Sequence, residues 1–486
     1  MKTLAILSAV SLAACSTFAV ADSGNNYGVS HNMERQGASI DFGQLRDQLL
    51  LEQSDKLFGV KGPLKQASTA SVDAATAEAN PLSMLTVARG LKARVVSAEA
   101  NLAPNIDMMV LWPNDINPTH LIACNEQGAG NPGVQRIDLK TGAVTTMITG
   151  TTSCDPVHVT PWGTVIVAEE NGNHGRMFEI LDPLHTTGVV INNADNTTSD
   201  PAHVMYRPAL GNLSFEGVAV YPNGVIYYGD ENRPSKGNAG GAYFKFIPSQ
   251  LWTGGKSITD LADSPLNDGQ VYGLRLGKRS GDTDYGQGTN TGKGAWVMVA
   301  NSTGADLRSA AANQQLTGYY RPEDADIDGK SLAKGLVRFC ANNTGNEEND
   351  QSWGETICIS DGSLSDAGLN LATPEVQYFV IGNKDLSMMD NIAYQPGNGN
   401  WVIHEDRDAV GMTGNGYPFN DSIWMCLADG QDADQLSDGC VRIMTLNDLN
   451  AESTGGLFDG KGKRYFFSIQ HNVTGHGTIV EVTGWR

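Results

Sequence analysis

With 486 residues, 56 of them glycine, the chain is long enough for one large core or several ordinary domains. Its 40% hydrophobic and 18% charged content excludes a coiled coil or a disordered polyelectrolyte. A net charge of −21 repels nucleic acid and anionic lipid, so neither is a partner; most of that charge reads as solubility, with a localised share left to hold hard cations.

Residues 1–21 read as an export signal, with Lys2, an apolar run from Leu4 to Leu12, and Ala19-Val20-Ala21 before Asp22. Leu12-Ala13-Ala14-Cys15 also fits a lipoprotein pattern in which Cys15 is acylated; it is the less favoured reading because the apolar run continues through Phe18. No twin-arginine pair precedes that run. The expected location is periplasmic or extracellular. Residues 22–93 read as an N-terminal extension, with a short amphipathic helix over 40–58 and an Ala/Ser/Thr-rich linker over 62–82. No later stretch reaches the roughly eighteen apolar residues of a membrane span.

Residues 94–486 change to short β-runs separated by Gly, Asn, Asp and Pro, among them 107–112, 119–124, 133–139, 164–168 and 175–180. Residues 151–171 concentrate chemistry: Cys154, a stiff Thr160-Pro161-Trp162-Gly163-Thr164 corner, and a strand ending in Glu169 and Glu170. Trp162 is expected to pack in that corner with its indole on a backbone acceptor. The order acid, strand, turn, strand, acid recurs from Glu216 to Glu231, from Glu323 to Cys340 and from Asp390 to Asp406. Such a repeat points to an all-β propeller, where strand starts gather at one mouth. Residues 255–293 read as a long inter-strand loop. Asp230, Asp408 and the Asn-Gly sites fit turn caps, and His404 and His471 fit structural positions. Turn chemistry does not account for Glu216, Glu323 and Asp390, each set directly before an apolar run; converging carboxylates need cations.

Of the seven cysteines, Cys340 with Cys358 and Cys426 with Cys440 close loops suited to disulfides in an oxidising compartment. Cys124 and Cys154 either pair with each other or leave Cys154 free as a ligand.

The Thr160–Thr164 corner followed by Glu169-Glu170 resembles the PhoX-type secreted alkaline phosphatases, a metal-dependent β-propeller family. In the same order, Leu121 to Glu126, Ser214-Phe215-Glu216, Arg321-Pro322-Glu323, Asp390-Asn391 and Ile469-Gln470-His471 resemble its further motifs, over roughly residues 110–475. The resemblance implies a six-bladed propeller, an axial site with two oxide-bridged ferric ions and calcium ions, and hydrolysis of small phosphate esters at alkaline pH. It implies Cys154 as an iron thiolate, Glu216 and Glu323 as metal ligands, Asp390 and Glu126 in the calcium shell, and Arg321 as the phosphate clamp, with Arg321 and Glu323 catalytic. The sequence departs from the pattern at Phe215, where the family has histidine, and over Asp155–Val159, which offers Asp155 and His158 as substitutes for the thiolate. The expected protein is a monomeric phosphatase. A calcium-dependent lactonase-like hydrolase and a non-catalytic calcium-stabilised propeller are the alternatives; neither needs Arg321.

Overall fold

The computed structural model describes residues 48–235, 238–277, 290–345, 353–407, 419–430 and 435–485. The expected export signal, Cys15, Asp408 and the first part of the helix expected over 40–58 lie outside the described residues. The described part of that helix includes the turn Ser54–Leu57. The linker carries a second short helix, Ala74–Ala79, capped by the Asp73 carboxylate, which accepts from the Thr76 amide. Among the described residues no helix is long and apolar enough to cross a membrane.

The remainder is all-β in a propeller-like arrangement. Six largely buried strands form its middle: β1 (Ile106–Trp112), β2 (Cys154–Val159), β3 (Phe215–Val220), β4 (Pro322–Ile327), β5 (Met389–Tyr394) and β6 (Glu452–Phe458). Each packs against the next, and β6 returns to β1, closing a ring. They begin five hydrogen-bonded sheets; β3 and β4 occupy the two edges of one nine-stranded sheet. β1, β3 and β5 are mostly apolar, whereas β4 carries three carboxylates and β6 small polar residues and glycines. β3 and β4 approach so closely at Gly217 that a Cβ there would stand 2.1 Å from the Ala325 nitrogen.

Each inner strand turns back into a second strand in the same register, first residue against last. The pairs are Ile106 with Asn125, Cys154 with Glu169, Phe215 with Asp230, Pro322 with Asn343, Met389 with Glu405, and Glu452 with Gln470. All six hairpins carry a register shift within the inner strand, in five of them near its start. Such bulges bend a strand and re-aim its side chains. Neighbouring inner strands are not paired to each other, so side chains satisfy their exposed amides. Asp324 accepts from the Ile392 amide (3.1 Å), Asp326 from Tyr394 (2.7 Å), and the Asn391 carbonyl oxygen from Gly455 (2.9 Å).

Two segments outside the expected β-runs also carry strands. The extension contributes to the sheets: Leu85–Val87 pairs with Cys440–Leu446, and Lys92–Ser97 with Thr478–Thr483. The expected loop over 255–293 contains the strand Gly269–Leu276, paired with Tyr243–Pro248. Its buried residues Val271, Leu274 and Leu276 are separated by glycines and polar residues, which masked the strand pattern.

The Thr160–Thr164 corner is held by one buried carboxylate. Glu179 accepts from the Trp162 indole (2.7 Å), the Thr164 hydroxyl (2.6 Å), Arg207 Nε (2.6 Å) and the Ser264 hydroxyl (2.7 Å). The indole partner is therefore a side chain rather than a backbone carbonyl. Removing that carboxylate takes the partner from the Trp162 indole, Arg207 Nε and the Ser264 hydroxyl, while the Thr164 hydroxyl keeps Thr160, and it leaves the buried Arg207 charge uncompensated. Glu179→Ala is accordingly expected to cost about 3–5 kcal/mol in urea unfolding; a loss below about 1 kcal/mol would refute this account of the corner.

Cys340–Cys358 and Cys426–Cys440 are disulfides, and all four sulfurs belong to one apolar cluster with Trp401 and Trp424.

Candidate functional site

The starts of the six inner strands meet at one end of the ring. Asp107, Asp155, Glu216, Glu323 and Asp390 are the second residues of β1 to β5, and Glu452 is the first of β6. All six line one cavity of about 380 Å³. Glu126, Glu170 and Asp406, each just past the end of a second strand, line it too, as does Asp421. Ten carboxylates thus share the cavity with two arginines, Arg321 and Arg407. The hairpin register is the cause, since one repeated geometry carries each acid to the same mouth.

Burial, then the neighbouring carboxylates, dominates their electrostatics. Burial pushes Asp107 up to about 6 and Glu170 up to about 7. It drives Glu126, Asp155, Glu216, Glu323, Asp390 and Glu452 well above the usual carboxylate range, and adjacent carboxylates add to the shift. Two trios stand out: Glu126, Asp155 and Glu170, and Asp390, Asp406 and Glu452. Within each, oxygens lie within 4.8 Å of one another. Either trio could hold a hard cation, which would remove the repulsion.

Amide side chains tie the acids together. Asn391 donates to Asp107 Oδ1 (3.2 Å), and Gln470 donates to Asp107 Oδ2 (3.2 Å) and Glu452 Oε2 (2.9 Å). Two buried oxygens of the cavity lining, Asp155 Oδ1 and Gln470 Oε1, have no hydrogen-bond partner.

Arg321 immediately precedes β4, with a left-handed backbone (φ 56°). Its Nε donates to Glu231 Oε1 at 2.6 Å, while its terminal nitrogens lie 3.2 Å from Glu323 and 3.7 Å from Asp406. Burial alone would lower its pKa, but Glu323, Asp406 and Glu231 outweigh that and hold the guanidinium charged. Glu231 is itself anchored. Its carbonyl accepts from Arg308, and the preceding Asp230 carboxylate takes Arg308 at 2.6 Å. Asp230 is therefore a buried ion-pair partner, not a turn cap.

The structure brings Glu126, Glu216, Arg321, Glu323 and Asp390 into the cavity. It does not bring Cys154. Its sulfur is bridged to Cys124 and buried in an apolar cluster with Met108 and Val157, so it presents no thiolate. The next residue, Asp155, faces the cavity, because successive strand side chains point to opposite sides. His158 lines a separate cavity of about 390 Å³, with Nδ1 2.8 Å from the Val159 carbonyl. The Glu169-Glu170 pair divides: Glu170 faces the cavity, while Glu169 is clasped by Arg176 at 2.6 and 2.7 Å. His404 is buried with both ring nitrogens engaged, by the Ser453 carbonyl (2.9 Å) and the Tyr465 hydroxyl (2.5 Å), whereas His471 lines the cavity. Sequence reasoning missed Asp107, Asp406, Asp421, Glu452, Arg407 and Gln470 as site residues, and offered Asp155 only as a substitute for the Cys154 thiolate. Asp107 and Asp155 were findable by extending the acid-before-strand repeat to the first two hairpins. At Glu452 the Gly455-Gly456 pair interrupts the apolar run that would have marked the strand.

Comparison with known proteins follows the same lines. Among curated proteins none matches this sequence. Among solved structures, Pseudomonas fluorescens PhoX in complex with vanadate, a transition state analogue, superposes with a TM-score of 0.60 at 15% identity. The match covers 88% of this chain and 98% of that one, which shows a shared fold. A gluconolactonase from Xanthomonas campestris gives a TM-score of 0.40 at 11% identity, covering 85% and 94% of the two chains. The family model described as alkaline phosphatase PhoX matches residues 124–472, spanning five of the six hairpins complete, and on that match the chain belongs to the PhoX alkaline phosphatase family.

Proposed function

We propose that this protein is an exported, cation-dependent phosphatase that hydrolyses small phosphate monoesters at the mouth of a six-bladed propeller. The six equivalent hairpins support the blade count. The nine-stranded sheet then counts as two blades, joined where Gly292 and Lys293 pair with Val376 and Glu375. The observation that carries the function is Arg321, a guanidinium fixed by Glu231 that shares one cavity with two carboxylate trios.

The donors fit calcium: they are carboxylate and amide oxygens, and Asp155 Oδ1 is buried without a partner. Glu126, Asp155 and Glu170 would hold one ion, and Asp390, Asp406 and Glu452 another. Bound there, calcium supplies positive charge against the phosphoryl oxygens. The chain's own contribution is positioning. Glu231 takes the Nε hydrogen of Arg321, which leaves the terminal nitrogens to bind two phosphoryl oxygens with the planar fork. Glu323, beside that fork, sets its orientation from the cavity side. Phosphoryl transfer needs little more from a protein than placement and charge stabilisation, and this arrangement offers both.

Export is supported by the three disulfides, which belong to an oxidising compartment. With it goes the division into a signal over 1–21, an extension over 22–93 and the catalytic domain over 94–486. Hydrolysis of p-nitrophenyl phosphate at alkaline pH tests the reading. Activity is expected to vanish in a calcium chelator and to return when calcium is added back. Calcium-loaded protein with no activity across the alkaline range would overturn it.

A further inference from the structure

Resting on that reading of the cavity, we propose that its cation sites are built from oxygen alone, with the unsatisfied oxygens of Asp155 and Gln470 among their ligands, and that they take calcium-class ions without thiolate-bound iron. The family resemblance calls for a ferric ion on the Cys154 thiolate, and the residues present do not fit it. That sulfur is spent in the bridge to Cys124 and buried among apolar side chains. Among the described residues no other cysteine lines the cavity.

What stands in the cavity instead is a carboxylate. Asp155 is 3% exposed, and its Oδ1 has no hydrogen-bond donor. Gln470 makes the same case independently, at 1% exposure. Its amide nitrogen faces acids, donating to Asp107 and Glu452, which fixes the amide orientation. Its carbonyl oxygen is buried with no donor. Buried oxygens are rarely left unsatisfied. A cation completes both, and a mixture of carboxylates with a neutral amide oxygen is the donor set calcium takes. Iron sites of the softer kind need sulfur or imidazole; His471 lines the cavity but belongs to neither trio, and the carboxylate and carbonyl oxygens there favour calcium, magnesium or manganese.

The experiment uses the full-length protein, exported by cells grown with both calcium and iron. Elemental analysis is expected to find stoichiometric calcium and only trace iron, and the protein is expected to show no visible absorption band. After chelation, calcium titration by calorimetry is expected to weaken about tenfold or more in Asp155→Ala and in Gln470→Ala. The double variant Cys124→Ser/Cys154→Ser should leave the isotherm unchanged. Iron near one atom per chain with a visible band lost in Cys154→Ser would overturn the proposal. So would a calcium isotherm unmoved in both cavity variants. Metal content and calcium affinity are read without turnover, so a protein that binds calcium in this way and hydrolyses no ester upholds this inference while removing the phosphatase reading.

Discussion

Arg321→Ala is expected to lower kcat/KM for p-nitrophenyl phosphate by about 10²–10³-fold, the usual cost of removing one preorganised group that faces developing charge. Arg321→Lys should recover little of that. Lysine keeps the charge but loses the planar fork, and it cannot donate to Glu231 while presenting two further hydrogens to phosphate. The geometry separates this effect from a structural one. Glu231, Glu323 and Asp406 all face the guanidinium, so its removal leaves three acids less neutralised. Any loss of fold would therefore appear as a lower unfolding midpoint and reduced calcium content. The expected result is a calcium-replete variant with a melting curve close to that of the parent and little turnover. An Arg321→Ala protein with full activity would remove the phosphate-clamp assignment, and with it the main reason to prefer a phosphatase over a calcium-held binding propeller.

Much of the fold was legible because it is periodic. An acid before an apolar run, then a turn and a second strand, recurs at Glu216, Glu323 and Asp390, and the same residues enter the cavity. The cavity's size was not legible, because one of its six inner-strand acids, Glu452, breaks the pattern and two others were passed over. Asp107 and Asp155 sit behind Ile106 and Cys154, whose own character draws attention away, and Glu452 is followed by Ser453, Thr454 and two glycines. Those glycines answer a three-dimensional demand: a Cβ on Gly455 would stand 2.1 Å from the Asp107 carbonyl oxygen. Cys154 misled for a related reason. Its neighbours in sequence named it the soft ligand, but strand alternation turns it toward the Cys124 sulfur and gives the cavity to Asp155. Partners such as Glu231 for Arg321, or Glu179 for Trp162, are separated by 90 and 17 residues. No local pattern carries them.

The calcium-free protein is expected to be most resistant to heat near about pH 4 and to lose resistance as the pH rises to about 7, with calcium reversing the trend. The sign follows from the cavity acids. In the unfolded chain Asp107 and Glu170 lose their protons near 3.8 and 4.5, whereas burial holds them protonated up to about 6 and about 7 in the folded, cation-free state. Between those limits the folded state binds more protons than the unfolded one, so stability falls with rising pH. Each pKa unit is worth about 1.4 kcal/mol, so these two groups alone set a fall of a few kcal/mol. Glu126, Asp155, Glu216, Glu323, Asp390 and Glu452 shift in the same direction and extend the window upward. Calcium binds the ionised carboxylates and competes with those protons. The gap between midpoints with calcium and with chelator should therefore widen as pH rises through the same window. Thermal unfolding followed by circular dichroism from about pH 4 to about pH 8, with and without calcium, measures both curves. A calcium-free protein more stable at neutral pH than at about pH 4, or a calcium effect that shrinks as pH rises, would show that these acids do not carry the repulsion their burial implies.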